Sequence, residues 1–388
     1  MDRFLRRAWP AGLAALLLAL ILPIAGCDSD DPDDGVSAEV NVMTYNLYLG
    51  ADIFNIVGTP IEEIPIVAAQ LFGSVQATDF PARARAIADI IAEEDPALIG
   101  LQEVTLYRTQ TPSDFDLTAE NPIEANPPNA ETVAFDFLDI LLDELAARGL
   151  AYREVATATN ADVEIPSTTD GVSFTDIRLT DRDVILARED VETTNPAAEN
   201  FVAFAPVPVG DETIDFLRGY NSVLATIGDV TFTFANAHLE VDDGDPAAAA
   251  LVQLGQANEL REALANATRP VVLVGDFNSA ADGTGTEIVL TEPLPFTGTT
   301  YDLLTTFYTD AAGEIDVTGD TCCQDADLLN PTSFPEANEP KRIDLILYNG
   351  AVEPLTAEVV GDEPADRTDG GLWPSDHAGV VATLRIEN

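Results

Sequence analysis

Basic charge is what this sequence has least of. Its 388 residues carry 18 Lys+Arg against 68 Asp+Glu, a formal net charge of -50, and Lys341 is the sole lysine. Tight nonspecific binders of nucleic acid present a basic stripe that displaces counterions. None is visible, so nucleic acid is a disfavoured partner. The acid excess suits solubility at high salt. Three cysteines and two histidines are too few for a structural zinc site. Long apolar runs are also missing. Ala11–Leu22 is the longest, shorter than the ~20 residues that a membrane span needs. What remains is ordinary for a globular protein: 46% hydrophobic and 22% charged residues.

The short apolar run has a recognisable setting. Arg3, Arg6 and Arg7 precede it, and Ile24-Ala25-Gly26-Cys27 follows. A positive start, an apolar stretch and small residues before a cleavage point make a secretory signal. The cysteine after Ala-Gly resembles a bacterial lipobox. The expectation is a lipoprotein signal peptide over 1–26 and a lipidated Cys27 that holds the chain to the cell envelope, outside the cytoplasm. Residues 27–37, with Asp-Ser-Asp-Asp-Pro-Asp-Asp, read as an acidic flexible tether. Cys322 and Cys323 are left. As neighbours they could form a strained disulfide or remain thiols, and they offer too few ligands for a metal.

From residue 38 to 388 the chain reads as one domain. Val40–Tyr45, Ala97–Val104, Asp183–Ala187, Ser222–Ile227, Val230–Ala237, Val271–Val274, Ile343–Tyr348 and Val380–Ile386 read as strands. Asp79 opens a helix with Pro81 in its first turn. Val133, Phe137, Ile140, Leu141 and Leu145 predict a second helix closed by Gly149, and Pro246–Ala267 predicts a third. Residues 50–80, 109–130 and 195–219 read as long loops. Several strands follow one another directly, which favours packed sheets with helices outside.

Polar residues recur at the ends of these apolar strands. Asn46, Glu103, His238, Asp276 with Asn278, Asp344, and Asp376 with His377 each adjoin a strand. Taken singly, most such residues are turn formers. Both histidines of the chain fall at such positions, however, and imidazole is the side chain that titrates near neutrality. Carboxylate and amide oxygens bind hard divalent cations. A cation beside two imidazoles can polarise a phosphoryl oxygen and hold a water in line. Phosphoester hydrolysis is the reaction class that this set fits.

The motifs Thr-Tyr-Asn46-Leu, Leu-Gln-Glu103-Val, Ala-His238-Leu-Glu, Gly-Asp276-Phe-Asn278, Arg342-Ile-Asp344-Leu-Ile and Pro-Ser375-Asp376-His377 occur in this order. The chain resembles the endonuclease/exonuclease/phosphatase superfamily of DNase I-like nucleases, bacterial sphingomyelinases and inositol-polyphosphate 5-phosphatases. That resemblance implies an α+β fold, a four-layer αββα sandwich of two packed mixed β-sheets with outer helices. It implies Mg²⁺, with Mn²⁺ or Ca²⁺ as alternatives, held by Glu103 with Asn46 and Asp376. Asp276 would position or deprotonate the water, and Asn278 would hold the phosphate and that water. His377 would be oriented and kept charged by Asp344, and His238 would donate to a non-bridging phosphate oxygen. Which imidazole is the base stays open. Arg218-Gly219-Tyr220 could line the mouth. Arg182 and Arg188 suit ion pairs better than phosphate, and Asp52 suits a turn better than a substrate contact.

The expected protein is a monomeric, lipid-anchored, divalent-metal-dependent phosphodiesterase or phosphatase acting on a small-molecule or lipid phosphoester. The alternatives are a secreted DNase I-like nuclease and a surface-binding module whose site has decayed.

Overall fold

A computed structural model describes residues 36–210, 212–241, 246–290, 295–315 and 317–387. The expected signal peptide, Cys27 and nearly all of the stretch expected to be a tether lie outside them. No helix among the described residues is long and apolar enough to cross a membrane.

Two mixed sheets carry the fold. In the first, Ser37–Asn46 pairs parallel with Leu98–Gln102 and antiparallel with Gly379–Glu387. Thr175–Arg188 continues the sheet on the far side of Leu98–Gln102. In the second, Val230–His238 pairs parallel with Val271–Asp276, which pairs antiparallel with Asp344–Asn349. Gly219–Ile227 flanks the other side.

Strand alternation sorts the side chains into three apolar layers. Val40, Val42, Val272, Val274, Phe232, Phe234 and Ile346 meet between the sheets. The intervening residues face outward. Met43 and Tyr45 pack with Ile87 and Leu141 from the helices Phe80–Glu94 and Phe137–Ala147. Leu273 and Leu345 pack with Ala257 and Leu260 from the helix Pro246–Ala263. The order of layers is helix, sheet, sheet, helix, an αββα sandwich.

The parallel pairs matter for function because they bring strand ends to one edge. Asn46 is in register with Gln102, His238 with Asp276, and Asp276 with Asp344. Between the sheets, buried Gln102 donates to Asn236 Oδ1 at 2.6 Å, and Asn236 donates to the Leu101 carbonyl at 3.1 Å. That link holds the two sheet edges in alignment.

Gly275 sits at this edge with φ +151°. A Cβ there would lie 1.9 Å from the Ala237 carbonyl oxygen of the paired strand. Gly275→Ala is therefore expected to destabilise the fold by about 3 kcal/mol. A lower urea midpoint at unchanged slope checks this.

Three sequence expectations change. Residues 50–80 contain the helix Ile64–Ala77. Thr132–Asp136 is a strand, so Val133 is an exposed strand residue and the helix begins at Phe137, capped by Asp136. The stretch 195–219 holds a small hairpin, Val207–Val209 with Glu212–Ile214. Asp79 caps its helix as expected, accepting from the Ala82 amide.

Candidate active site

The shared edge of the sheets forms a pocket of about 280 Å³. Glu103, Asp276, Asn278, Asp376, His377 and Arg218 are among its walls. Three of the six motifs thus line the pocket directly, through Glu103, Asp276 with Asn278, and Asp376 with His377, while Asn46 and His238 stand behind Asp276 and Asp344 behind His377.

Asp276 lies at the centre. Its Oδ2 accepts from Asn46 Nδ2 at 3.1 Å and stands 3.6 Å from His238 Nε2 and 3.8 Å from His377 Nε2. Its Oδ1 accepts from the Asn278 backbone amide at 2.9 Å, a local turn that follows from φ 49° at Asn278. Asn278 Nδ2 donates to the Leu239 carbonyl at 3.0 Å.

His377 Nδ1 is 2.8 Å from Asp344 Oδ2, which fixes the ring and leaves Nε2 toward Asp276. Burial alone would favour the neutral ring. The facing carboxylates of Asp344, Asp276 and Asp376 outweigh it and raise the His377 pKa well above 6.5. The charged ring therefore contributes stability in full below pH 6.5 and loses it as pH rises through the folded value. Asp344→Asn is expected to move the His377 midpoint to lower pH, read by NMR titration of the ring. An unmoved midpoint would place the control elsewhere.

His238 lies deeper than expected. It is 1% exposed, and Arg218 Nη1 approaches its Nε2 at 3.0 Å. Burial first, and the Arg218 charge second, push the ring pKa down to about 3. Its Nδ1 is 3.4 Å from Asp183 Oδ1, and burial raises that carboxyl to about 7. The group that faces the pocket here is the Arg218 guanidinium, not the His238 ring. Arg218 thus stands between the pocket and the His238 ring, which was expected to donate to a phosphate oxygen. Burial opposes the Arg218 charge, but Glu240, Asp181, Glu103 and Asp183 together raise its pKa.

Asn46, expected to help hold the metal, is fully buried. Its Oδ1 accepts from the Tyr48 amide at 2.9 Å, and its amide nitrogen donates to Asp276.

Glu103 and Asp376 remain as the carboxylates that suit a cation. Glu103 holds φ 56° at the end of its strand, and one oxygen accepts from the Leu49 amide at 2.7 Å. Burial and the nearby Asp376 and Asp181 charges push its pKa up. Asp376 is raised too, chiefly by burial. Around the same place Asp181 Oδ1, Asp183 Oδ1, Asp344 Oδ1, Glu240 Oε2 and Arg218 Nε are buried without a hydrogen-bond partner. They are half of all such side-chain atoms among the described residues. Buried polar groups are normally paired, and bound ions or ordered water are what pair them. The donor set, all oxygen on the carboxylate side, fits a hard divalent cation.

Sequence reasoning missed Asp181 and Asp183, which lie on the strand Thr175–Arg188 and donate no hydrophobic surface. A signal existed: they alternate with the same spacing as Ile185 and Ala187, so two carboxylates point where core residues should. Arg83 was missed as well. Arg182 pairs with Asp136 at 2.6 Å and Arg188 with Asp95 at 2.9 Å, in keeping with the ion-pair reading. Asp52 caps a short turn through the Phe54 amide and also borders the pocket. Cys322 and Cys323 are joined to each other. They line the pocket, and the backbone of Cys322 forms an isolated antiparallel β-bridge with that of His377.

The model of the endonuclease/exonuclease/phosphatase family matches residues 43–377. The chain belongs to that family. Solved endonuclease/exonuclease/phosphatase structures share its fold. One from Bacteroides thetaiotaomicron has 15% identity and a TM-score of 0.52, covering 91% of this chain and 100% of that one. A mannosyl-6-phosphatase from Bacteroides thetaiotaomicron VPI-5482 has 16% identity and a TM-score of 0.51, covering 89% and 99%. A member from Bacteroides vulgatus has 16% identity and a TM-score of 0.50, covering 90% and 100%. No curated protein matches the sequence. The activities in the family's name share one reaction, hydrolysis of a phosphoester bond.

Proposed function

We propose that the chain is a divalent-metal-dependent phosphoester hydrolase that attacks phosphorus with an in-line water. One observation carries the reading. Asp276 Oδ2 stands between two imidazoles, and the nearer-to-solvent one, His377, is held charged by Asp344.

In this reading Asp276 orients the attacking water and takes its proton. The His377 imidazolium and the Arg218 guanidinium face the phosphoryl oxygens, where negative charge grows in the transition state. Asn46 and the Asn278 backbone keep the Asp276 carboxylate in place. Glu103 and Asp376 would hold the cation, and a cation there supplies charge neutralisation at the phosphoryl and leaving oxygens. A net charge of -50 weighs against a nuclease that must bind DNA tightly. The convergence of reactive side chains weighs against a decayed module.

The sequence features of residues 1–27 support a placement in the bacterial envelope, anchored through Cys27. Cys27→Ala should then shift the protein from the membrane to the soluble fraction.

A substrate panel tests the activity: bis-p-nitrophenyl phosphate, p-nitrophenyl phosphate, mannose 6-phosphate, sphingomyelin and plasmid DNA, with Mg²⁺ or EDTA. The mannosyl-6-phosphatase neighbour is the reason for the sugar phosphate. Expected is turnover of at least one small phosphoester, reduced by EDTA at least about a hundredfold, with little plasmid nicking. Silence on every substrate with Mg²⁺, Mn²⁺ and Ca²⁺ would sink the proposal.

A further inference from the structure

An apolar chamber of about 100 Å³ lies against the phosphoester pocket. The helix Ile64–Ala77 contributes Ala68 and Leu71 to it, the long strands contribute Ile165 and Ile177, and the hairpin contributes Val209 and Ile214. Every side chain that lines it is apolar except Tyr107, whose hydroxyl is turned to the Leu49 carbonyl at 2.9 Å.

The chamber and the pocket share a wall. Ala51, Ile53 and Phe54 line both. On the same border the Phe216 ring lines the chamber 6.5 Å from the Phe54 ring, and Arg218 of the pocket stacks over Phe216 at 5.6 Å. A hydrocarbon-lined space and an anion-facing guanidinium thus adjoin one another along shared lining residues. Ile53, Phe54 and Leu71 remain half-exposed instead of closing the space. Close-packed interiors leave few voids larger than a water molecule, and an apolar hollow beside a few convergent polar groups is the usual form of a ligand site.

We propose that this chamber binds a compact hydrocarbon substituent, alkyl or aryl, of the phosphoester whose phosphate occupies the pocket. The proposal rests on the phosphoester reading and names its substrate class. Size limits the occupant. An apolar cavity of roughly 150 Å³ stays dry and takes up benzene, so this somewhat smaller chamber admits one short tail or one ring and no more. The tail finds no hydrogen-bonding partner there and binds by leaving water. Each buried methylene then strengthens binding about fourfold, corresponding to ~0.8 kcal/mol.

Non-hydrolysable phosphonates test this without turnover. The full chain is titrated calorimetrically, with Mg²⁺, against methyl-, butyl-, hexyl-, octyl- and phenylphosphonate. Affinity is expected to rise about fourfold per carbon over the first few carbons and then level off. A gain for hexyl but not phenyl assigns a linear tail, and a gain for phenyl assigns an aryl group; either supports the chamber. Ala68→Phe, which fills the chamber, should flatten the series, and Phe54→Ala, which widens it, should move the plateau to longer chains. The wild-type series decides the matter even if a variant misfolds. Equal affinity for methyl and hexyl, with p-nitrophenyl ester turnover intact, overturns the chamber and leaves the phosphoester reading standing. A gain that continues undiminished to octyl overturns the bounded chamber. If no phosphonate binds and no ester is hydrolysed, both readings fail together.

Discussion

Asp276→Ala and His377→Ala are each expected to lower turnover by about 10²–10⁴-fold, the span of a lost general base or acid, while far-UV CD stays that of the parent. The geometry gives the reason. Asp276 Oδ2 is the point on which Asn46, His238 and His377 converge. Removing it takes away the proton acceptor and the carboxylate that helps keep His377 charged. Removing His377 takes away the cation that Asp344 and Asp276 hold in place. If the two act on one phosphorus centre, as proposed, the double variant should lose little more than the worse single one. Rates are best measured with bis-p-nitrophenyl phosphate, under the metal that the panel selects. Retained activity in either single variant would sink the assignment of the site.

Arg83→Met is the second change with a large expected effect, and it acts without touching substrate. Arg83 is completely buried. Its Nε donates to the Thr78 carbonyl at 2.9 Å, Nη1 to Leu47 at 2.6 Å and Pro374 at 3.0 Å, and Nη2 to Tyr48 at 3.2 Å. Phe80 stacks beneath the guanidinium at 4.9 Å. Burial lowers its pKa to about 10, still charged at neutrality. Leu47 and Tyr48 follow Asn46, and Pro374 precedes Ser375-Asp376-His377. One side chain therefore ties together the two segments that carry the Asn46 amide and the His377 ring. Ser375 reinforces the tie by donating to the Asn46 carbonyl at 2.7 Å. Methionine fills much of the volume but leaves four buried carbonyls short of a donor, at about 1–3 kcal/mol for each that water cannot reach. A loss of about 3–5 kcal/mol is expected, seen as a lower urea midpoint, and activity should fall with it. Arg83→Lys should rescue little, since an ammonium cannot span carbonyls arranged around a planar fork. A stable, active Arg83→Met protein would show that the segments are held by other contacts.

Much of this was legible in the sequence because strands in this fold advertise themselves. Val40–Tyr45, Val230–Ala237 and Val271–Val274 are rich in apolar residues, and the polar residues that follow them gather at one point, with Asn46 Nδ2 3.1 Å and His238 Nε2 3.6 Å from Asp276 Oδ2. The helix Ile64–Ala77 was not legible. Pro65 and Gly73 interrupt its pattern, and its apolar residues spread around the axis: Leu71, Phe72 and Val75 pack on the main core, while Ile64 and Val67 pack in a smaller cluster with the hairpin. The strand Tyr152–Ser167 hid behind alternating Ala and Thr and two register shifts, at Glu154/Ala156 and Thr159/Ala161. Asn46 and His238 lie at the strand ends where the sequence places them, but the partners they meet there were not readable. Their position was set by strand endings, but whether an amide faces a cation or a carboxylate depends on neighbours from distant segments, here Tyr48, Asp276 and Arg218.

Lys341 donates its backbone amide to the Cys322 carbonyl at 2.9 Å, and its residue is exposed on the rim that Cys322 and Cys323 help to form. As the one side-chain amine in the sequence, it leaves amine-reactive dyes, biotinylation reagents and coupling resins a single side-chain target, with an α-amine as the competitor. A fluorophore attached there would report on the mouth of the catalytic cavity, whereas a sensor chip coupled through it would present the protein with that mouth against the support.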